Sequence, residues 1–241
     1  MPLRLLILSA GLTVIMAGSA ASQTPYLYKA RLVQAAPGRL LDVIDLVKVM
    51  QPGYKEVGDE APFVMRHSQG DHWDLLLLFP IKSYSEYYSA ERVAKRKQQQ
   101  SAWSSFDAAV AWQEDVFVFG PPLDELKTAF AAAGFFHVEM FHSLPAKQAE
   151  LFKEREMENA YQKTLKRPEN FIFVRDQGAA WDLFTIGAFR DLKHFAESAN
   201  IPAEEQEAAA KAAGFVSASR IGPYLRTLIS SHHDTLAVSV R

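Results

Sequence analysis

The chain has 241 residues, of which 49% are hydrophobic and 22% are charged, and its formal net charge is −2. This length and composition are sufficient for a globular protein with a sizeable core, and the small net charge does not indicate nucleic acid as a partner. The sequence contains no cysteine, which excludes disulfides, a thiol nucleophile and a lipid-modified cysteine.

Residues 1–22 are typical of a secretory signal peptide. Arg4 provides a short positive region, an apolar run extends from Leu5 to Met16, and small residues at 18–22 suit a signal peptidase. The apolar run is short for a membrane span, although a retained anchor helix is the alternative. The sequence therefore predicts a periplasmic or secreted protein that has no membrane contact after the signal is cleaved.

Residues 23–122 show the element order strand, helix, strand, strand, helix, strand. Aromatic and β-favouring residues predict a first strand at 26–34. The next helix is predicted from five apolar residues at helical spacing: Leu40, Val43, Ile44, Val47 and Met50. The later predictions are a hairpin with strands at 63–67 and 73–79, a helix over 83–112 and a strand at 116–119.

One motif of this segment occurs twice. Gln69 to Leu75 reads Gln-Gly-Asp-His-Trp-Asp-Leu, and Gln177 to Leu183 reads Gln-Gly-Ala-Ala-Trp-Asp-Leu. The offset is 181 − 73 = 108 residues, measured between Trp73 and Trp181. After a helical connector at 123–134, residues 135–241 repeat the element order of the first segment. Aligning the two predicted last strands gives 234 − 115 = 119, so repeat 2 has 11 extra residues, which we place at 200–214 as an added helix.

This repeated order predicts an α+β protein made of two tandem ferredoxin-like βαββαβ repeats, 23–122 and 135–241. Each antiparallel four-stranded sheet would carry its helices on one face and leave the other face bare, so the two bare faces are expected to cover each other. The arrangement resembles the dimeric α/β-barrel superfamily, here as an intrachain pseudo-dimer. Two independent domains joined by a linker are the alternative.

The resemblance implies several functions and selects none of them. The superfamily includes cofactor-free monooxygenases of the antibiotic-biosynthesis type, haem-degrading and haem-binding proteins, EthD-like proteins and NIPSNAP-like domains. No motif in this chain is specific to one of these families, and fold alone does not define function. The sequence also has no Gly-rich phosphate loop, Gly-x-Ser-x-Gly elbow or His-Glu-x-x-His motif, so hydrolase, kinase and nicotinamide-dependent activities have no support.

The first candidate site lies on the first strand of each repeat. Strand alternation separates an apolar set, which we expect to pack on the helices, from a charged set that would face the space between the sheets. The charged set consists of Lys29 and Arg31 in repeat 1 and of His137 and Glu139 in repeat 2. Pairing of Glu139 with Arg31 or Lys29 is expected, because buried charges are costly alone. The functional interpretation is a pocket for a small anionic or polar ligand, with His137 and Glu139 as candidate catalytic groups. An exposed barrel rim or an internal structural ion pair is the alternative.

The second candidate site is an edge of repeat 2 at which His142, His232 and His233 are expected to converge, with Asp234 nearby. These groups suit ligand binding or acid–base chemistry, and no metal site is assigned to them because adjacent histidines do not easily ligate one ion. Three functions stay open: binding of a small, partly apolar ligand between the half-sheets, a cofactor-free or haem-linked monooxygenase-like enzyme, and a structural or protein-interaction module. The sequence does not give the ligand, the cofactor, the reaction or the oligomeric state.

Overall fold

A computed structural model describes residues 26–98, 100–179 and 181–240, and the side chains of residues 100–102 are left aside. The predicted signal segment 1–22 lies outside these residues. The strands are β1 (Tyr26–Ala35), β2 (Phe63–Gln69), β3 (Leu75–Lys82), β4 (Val110–Gly120), β5 (Phe135–Ser143), β6 (Phe171–Gln177), β7 (Leu183–Phe189) and β8 (Ile229–Ser239). The α-helices are α1 (Leu40–Glu56), α2 (Tyr84–Tyr87), α3 (Ala90–Gln98), α4 (Gln100–Asp107), α5 (Leu123–Ala132), α6 (Gln148–Thr164), α7 (Leu192–Ala196), α8 (Ala203–Ala212) and α9 (Ile221–Leu225).

The eight strands form a closed antiparallel barrel in the order β1-β3-β2-β8-β5-β7-β6-β4. Each repeat supplies four neighbouring strands, and the repeats join where β2 pairs with β8 and β4 pairs with β6. Closure removes the exposed sheet edges that two separate four-stranded sheets would leave. The predicted tandem dimeric α/β-barrel architecture is confirmed, and the alternative of two independent domains is wrong.

The barrel interior is a packed apolar core to which all eight strands contribute. It includes the stacked rings of Phe173 and Phe184, whose centroids are 4.5 Å apart, and the buried Trp73. The first strands contribute Tyr28, Ala30, Leu32, Phe136, Val138 and Met140. This reverses the predicted assignment of faces, because these residues were expected to pack on the helices. A closed barrel removes its interior from water most completely, so the most apolar face of each strand lies there.

The charged set of each first strand therefore lies on the outer face, beneath the helices. In repeat 1, α1 packs on this face through Val43, Val47 and Met50. In repeat 2, Leu151 of α6 packs beside Phe141 and Leu183. Lys29, Arg31, His137 and Glu139 consequently lie at the two helix–sheet interfaces and not between the half-sheets, as had been predicted.

The duplicated motif holds the repeats together. Gly70 and Gly178 have positive φ angles of 128° and 110°, and each lies close to the backbone of a strand of the other repeat. The aspartate after each Trp accepts a 2.8 Å hydrogen bond from a backbone N–H at the end of a first strand: Asp74 from Ala35, and Asp182 from Ser143. In each copy of the motif, the glycine contacts the other repeat, the tryptophan packs in the barrel interior, and the aspartate forms a hydrogen bond to the end of the first strand.

We expect Gly70→Ala to destabilise the protein by about 1–3 kcal/mol more than Gly38→Ala, because added atoms at a packed contact force neighbouring groups to move. Both glycines have positive φ, 77° at Gly38 and 128° at Gly70, so both variants also carry backbone strain. A Cβ at Gly70 would overlap the carbonyl oxygen of Asp234 and lie 2.7 Å from Thr235 Cα, whereas a Cβ at Gly38 meets nothing within 4 Å. Urea unfolding of the two variants measures the difference, and equal losses would contradict an inter-repeat contact at Gly70.

Two boundaries differ from the prediction. The helix predicted over 83–112 is divided into α2, α3 and α4, and β4 begins at Val110 instead of at residue 116. Similarly, β8 already begins at Ile229. Both last strands extend through polar residues because they pair with the first strand along almost its whole length. Helix α8 occupies the segment assigned to the 11-residue insertion. Among the described residues, no helix is long and apolar enough to cross a membrane.

Candidate functional site

The two outer faces carry ionisable groups at equivalent positions. Lys29 corresponds to His137 and Arg31 to Glu139, since 137 − 29 = 108 and 139 − 31 = 108. On the neighbouring last strand, Arg31 pairs in register with Asp115, and Glu139 pairs with Asp234. The duplicated backbone thus places three ionisable side chains on the outer face of each repeat, but with different charges.

In repeat 1 the three groups form an ion-paired cluster. Arg31 donates two hydrogen bonds to Asp115, from Nε to Oδ1 at 2.6 Å and from Nη2 to Oδ2 at 2.7 Å. Lys29 Nζ lies farther away, 3.6 Å from Asp115 Oδ2. The predicted pairing of Arg31 or Lys29 with Glu139 is therefore wrong, because the first strands of the two repeats belong to opposite sides of the closed barrel. Asp115 of β4 is their partner instead.

A cavity of about 130 Å³ adjoins this cluster, between the sheet and the helices of repeat 1. Its wall includes two cations of the first strand and four aromatic rings: Lys29, Arg31, Tyr54, Phe79, Tyr87 and Trp103. Clefts that hold drug-sized ligands measure about 300–1,000 Å³, so this cavity suits only a small molecule. The aromatic side chains that close it, from α1, α2 and α4, were not identified from the sequence.

Positive charge is in excess around the cavity. Asp115 is shared by Lys29 and Arg31, and the buried Asp59 is likewise shared by two arginines, Arg92 at 3.5 Å and Arg96 at 3.0 Å. A further carboxylate in the wall, at residue 60, pairs with a surface lysine. The wall itself carries three cations, Lys29, Arg31 and Arg96, against two carboxylates, Asp59 and Glu60. This excess makes the site complementary to an anion.

The cavity also alters the protonation of its lysine. Burial lowers the pKa of Lys29 to about 8, and the neighbouring charge of Arg31 acts in the same direction, whereas Asp115 opposes the change. Burial raises the pKa of the Asp115 carboxyl, but the hydrogen bond from Arg31 and the charge of Lys29 outweigh it and hold that pKa below its usual value. Asp115 is therefore ionised at neutral pH, while Lys29 exchanges its proton more readily than a surface lysine does.

In repeat 2 the outer face holds a buried cluster around Arg155 of α6, a residue that is 2% exposed. Its guanidinium binds the fully buried Glu154 through Nε at 2.6 Å and lies 2.5 Å from Glu158 Oε2. Its Nη1 has no hydrogen bond among the described residues and lies 3.6 Å from Glu139 Oε2, which accepts a 3.1 Å hydrogen bond from Thr185. One arginine therefore faces three carboxylates.

Burial shifts the pKa values of three groups on this outer face. Burial raises the pKa of Glu139, and Arg155 only partly opposes that shift. Burial likewise raises the pKa of Glu158 to about 7, again against the charge of Arg155. Burial lowers the pKa of His137, which the nearby Asp234 opposes. Glu158 can therefore exchange a proton near pH 7, as acid–base chemistry at that pH requires.

His137, Glu139 and Asp234 also lie close enough to share a cation. One potential ligand atom from each of the three lies within 4.8 Å of the others, and His137 Nε2 is 3.8 Å from Asp234 Oδ1. His232 Nε2 is 3.3 Å from the other carboxylate oxygen of Asp234. An imidazole with two carboxylates matches the ligand preference of divalent transition-metal ions.

The predicted convergence of His142, His232 and His233 is not observed. His232 and His233 lie within β8 rather than before it, and neighbours in a strand point to opposite faces. His232 stacks on Phe141 on the outer face, whereas His233 Nδ1 lies 3.4 Å from Asp71 of the inter-repeat hairpin. His232 and His233 therefore belong to different surroundings, and the ligand-binding roles expected for His142, His232 and His233 stay predictions.

The comparisons with known proteins concern the fold. No protein-family model matches the chain, and no curated protein matches it in sequence. The solved structure of an anthrone oxidase-like protein is 11% identical, covering 91% of this chain and 93% of its own, with a TM-score of 0.56. A protein from Fusobacterium nucleatum proposed to be a monooxygenase is 8% identical, with coverages of 91% and 94% and a TM-score of 0.56. A protein proposed to be a chlorite dismutase is 8% identical, with coverages of 89% and 96% and a TM-score of 0.51.

These neighbours have the dimeric α/β-barrel fold, and the class of this protein is a dimeric α/β barrel in which both halves belong to one chain. The predicted resemblance to that superfamily is confirmed. At 8% to 11% identity the likeness shows the fold alone, so the activities named for these structures are not transferred by it.

Proposed function

We propose that this is an exported protein that binds a small, partly apolar anion on the outer face of repeat 1. The observation that supports the proposal is the charge around the cavity there, where two carboxylates are each shared by two cations. A bound anion would supply the missing negative charge without leaving a buried cation unpaired. The proposed place differs from the one expected from the sequence, since the space between the half-sheets is filled by the apolar core.

The lining of the cavity defines the class of ligand. Phe79 and Trp103 offer apolar ring surface, and Lys29 lies 4.6 Å from the centre of the Phe79 ring. A ligand with a carboxylate and a short apolar body satisfies both the cations and the rings. Small aromatic or branched aliphatic carboxylates fit this description and the volume of about 130 Å³.

Calorimetric titration with benzoate tests the site, with benzyl alcohol as the neutral analogue. We expect benzoate to bind and benzyl alcohol to bind at least about tenfold more weakly, since hydrogen bonds to charged groups contribute about 1.5–3 kcal/mol. Lys29→Met should weaken benzoate binding by a similar factor. The matched control is Lys163→Met, because Lys163 is 73% exposed on repeat 2 and should not affect binding. Equal binding of the two probes, or binding of neither, would reject the anion site.

Export is the part of the proposal that rests on residues 1–22. A positively charged N-terminal region, an apolar stretch and a group of small residues follow one another there, as they do in a signal peptide. Expression of the full chain in a bacterium, followed by mass measurement of the protein in the periplasmic fraction, tests the proposal. A chain that begins near residue 23 supports export with cleavage, and an intact chain that stays in the cytoplasm contradicts it.

A monooxygenase-like activity at repeat 2 is the second candidate. It is favoured by the juxtaposition of His137, Glu139 and Asp234, one potential ligand atom of each lying within 4.8 Å of the others. Burial also shifts two of these groups, lowering the pKa of His137 and raising that of Glu139. Oxygen uptake with anthrone as the probe tests it. An active protein should lose about 10²–10⁴-fold in rate on His137→Gln if the imidazole transfers a proton. No uptake by the native protein, or uptake unchanged in the variant, would reject this role.

A further inference from the structure

The ε-amino group of Lys29 is buried, and its ion pair with Asp115 is looser than that of Arg31. The side chain is 11% exposed, and its amine lies 3.6 Å from Asp115 Oδ2, beyond a normal hydrogen-bond distance. Asp115 directs both carboxylate oxygens to Arg31 instead, at 2.6 and 2.7 Å. The amine is therefore held only loosely, and because it lines the cavity it can contact a molecule bound there.

The surroundings of Lys29 favour its neutral form. The amine is shielded from water beside the Phe79 ring, and the nearest charges after Asp115 are the cations Arg31 and Arg96. With a pKa of about 8, Lys29 has on the order of 100-fold more neutral amine at pH 7 than a surface lysine with a pKa near 10.4. Burial and neighbouring cations are the two conditions that turn a lysine into a nucleophile.

We propose that Lys29 forms a reversible imine with the carbonyl carbon of a small oxo acid bound in the repeat 1 cavity. The inference rests on the proposed anion site, because the excess positive charge of Arg31 and Arg96 would hold the carboxylate of the ligand while Lys29 faces its carbonyl group. Repeat 2 provides an internal contrast, since the equivalent residue is His137, which forms no imine.

The step is balanced without a further reactant. The neutral Nζ of Lys29 adds to the carbonyl carbon, and the carbonyl π electrons move to oxygen, which takes up the first proton released by the nitrogen. The resulting carbinolamine breaks its C–O bond as the nitrogen gives up its second proton, the oxygen leaves as water, and a C=N bond remains on Lys29. Nothing is oxidised or reduced, and hydrolysis of the imine releases the oxo acid again.

Trapping with 2-oxobutanoate and sodium cyanoborohydride tests this proposal, because the hydride converts the imine into a stable secondary amine. Peptide mapping by mass spectrometry should place the adduct at Lys29 in preference to exposed lysines such as Lys163, which is 73% exposed. Trapping at Lys29 should increase up to about pH 8 and then level off, whereas trapping at surface lysines should continue to rise. Benzoate should suppress the Lys29 adduct by occupying the same cavity.

The outcomes separate this inference from the proposed function. If benzoate binds but 2-oxobutanoate modifies only surface lysines, the imine is refuted and the anion site stands. If benzoate does not bind and Lys29 is not modified, both proposals are refuted. Lys29→Met should abolish the selective adduct, and Lys163→Met should leave it unchanged. The mapping on the native chain decides the question even if the Lys29 variant does not fold.

Discussion

Replacing Arg155 with methionine should lower the free energy of unfolding by about 3–5 kcal/mol at pH 8, because it removes one partner from a buried ionic cluster. Arg155 is 2% exposed and contacts Glu154, Glu158 and Glu139. Methionine fills much of the same volume and leaves the carboxylates without their cation. The cost should be smaller at pH 5, because the carboxyls can then take up protons in place of the lost charge.

Arg190→Met is the matched control for this measurement. Arg190 also pairs with a glutamate, Glu197 at 3.7 Å, but the two side chains are 68% and 52% exposed. An exposed pair of this kind contributes at most about 1 kcal/mol. Urea unfolding of both variants at pH 5 and pH 8 gives the comparison. Losses of the same size at the two positions, or a loss at Arg155 that does not depend on pH, would contradict a buried carboxylate cluster organised by this arginine.

The architecture could be predicted from the sequence because it is encoded twice. The recurrence of Trp73 and Trp181, each followed by Asp and Leu, fixed the repeat and the register of both hairpins. The order of elements then led to the ferredoxin-like unit, and the need to cover a bare sheet face led to the barrel. These inferences use periodicity and topology, which depend little on the details of packing.

The faces of the first strands could not be predicted in the same way. Alternation shows that Tyr28 and Lys29 point in opposite directions, but it does not show which side is the barrel interior. We assumed that the apolar set would pack on the helices. In the closed barrel, however, the interior is more deeply buried than the helix–sheet interface, and the apolar set lies there. The positions of Lys29, Arg31, His137 and Glu139 on the strands were correct, and their surroundings were wrong for this reason.

The helix residues of the sites were missed although the duplication contained a signal for them. Arg155 and Glu158 correspond to Val47 and Met50 of repeat 1, since 155 − 47 = 108 and 158 − 50 = 108. Two positions that are apolar and buried in one repeat thus carry charges in the other. A buried helix position that changes from apolar to charged between repeats indicates a polar cluster beneath the helix, and applying this comparison to α1 and α6 would have identified Arg155.

Glu158 should make the protein less stable as the pH rises from about 4.5 to about 7. Burial raises the pKa of Glu158 from 4.5 to about 7 in the folded protein, although Arg155 lies 2.5 Å away. Between these two pH values the folded chain binds more protons than the unfolded chain, so the stabilisation present below pH 4.5 is lost as the pH rises through 7. A shift of this size corresponds to roughly 3 kcal/mol, and the raised pKa of Glu139 acts in the same direction.

Glu158→Gln removes the titrating group and keeps its shape. We therefore expect the difference in free energy of unfolding, variant minus native, to increase by roughly 3 kcal/mol from pH 4.5 to pH 8, because only the native protein loses stability over this range. Glu91→Gln is the control, because Lys95 holds the pKa of the surface carboxyl of Glu91 below its usual value. For Glu91→Gln, the same difference in free energy of unfolding should therefore change little, and it should decrease as the pH rises. If Glu158→Gln shows the direction expected for Glu91→Gln, the ion pair with Arg155 outweighs burial, and Glu158 is a charged anchor of Arg155 at every pH at which the protein folds.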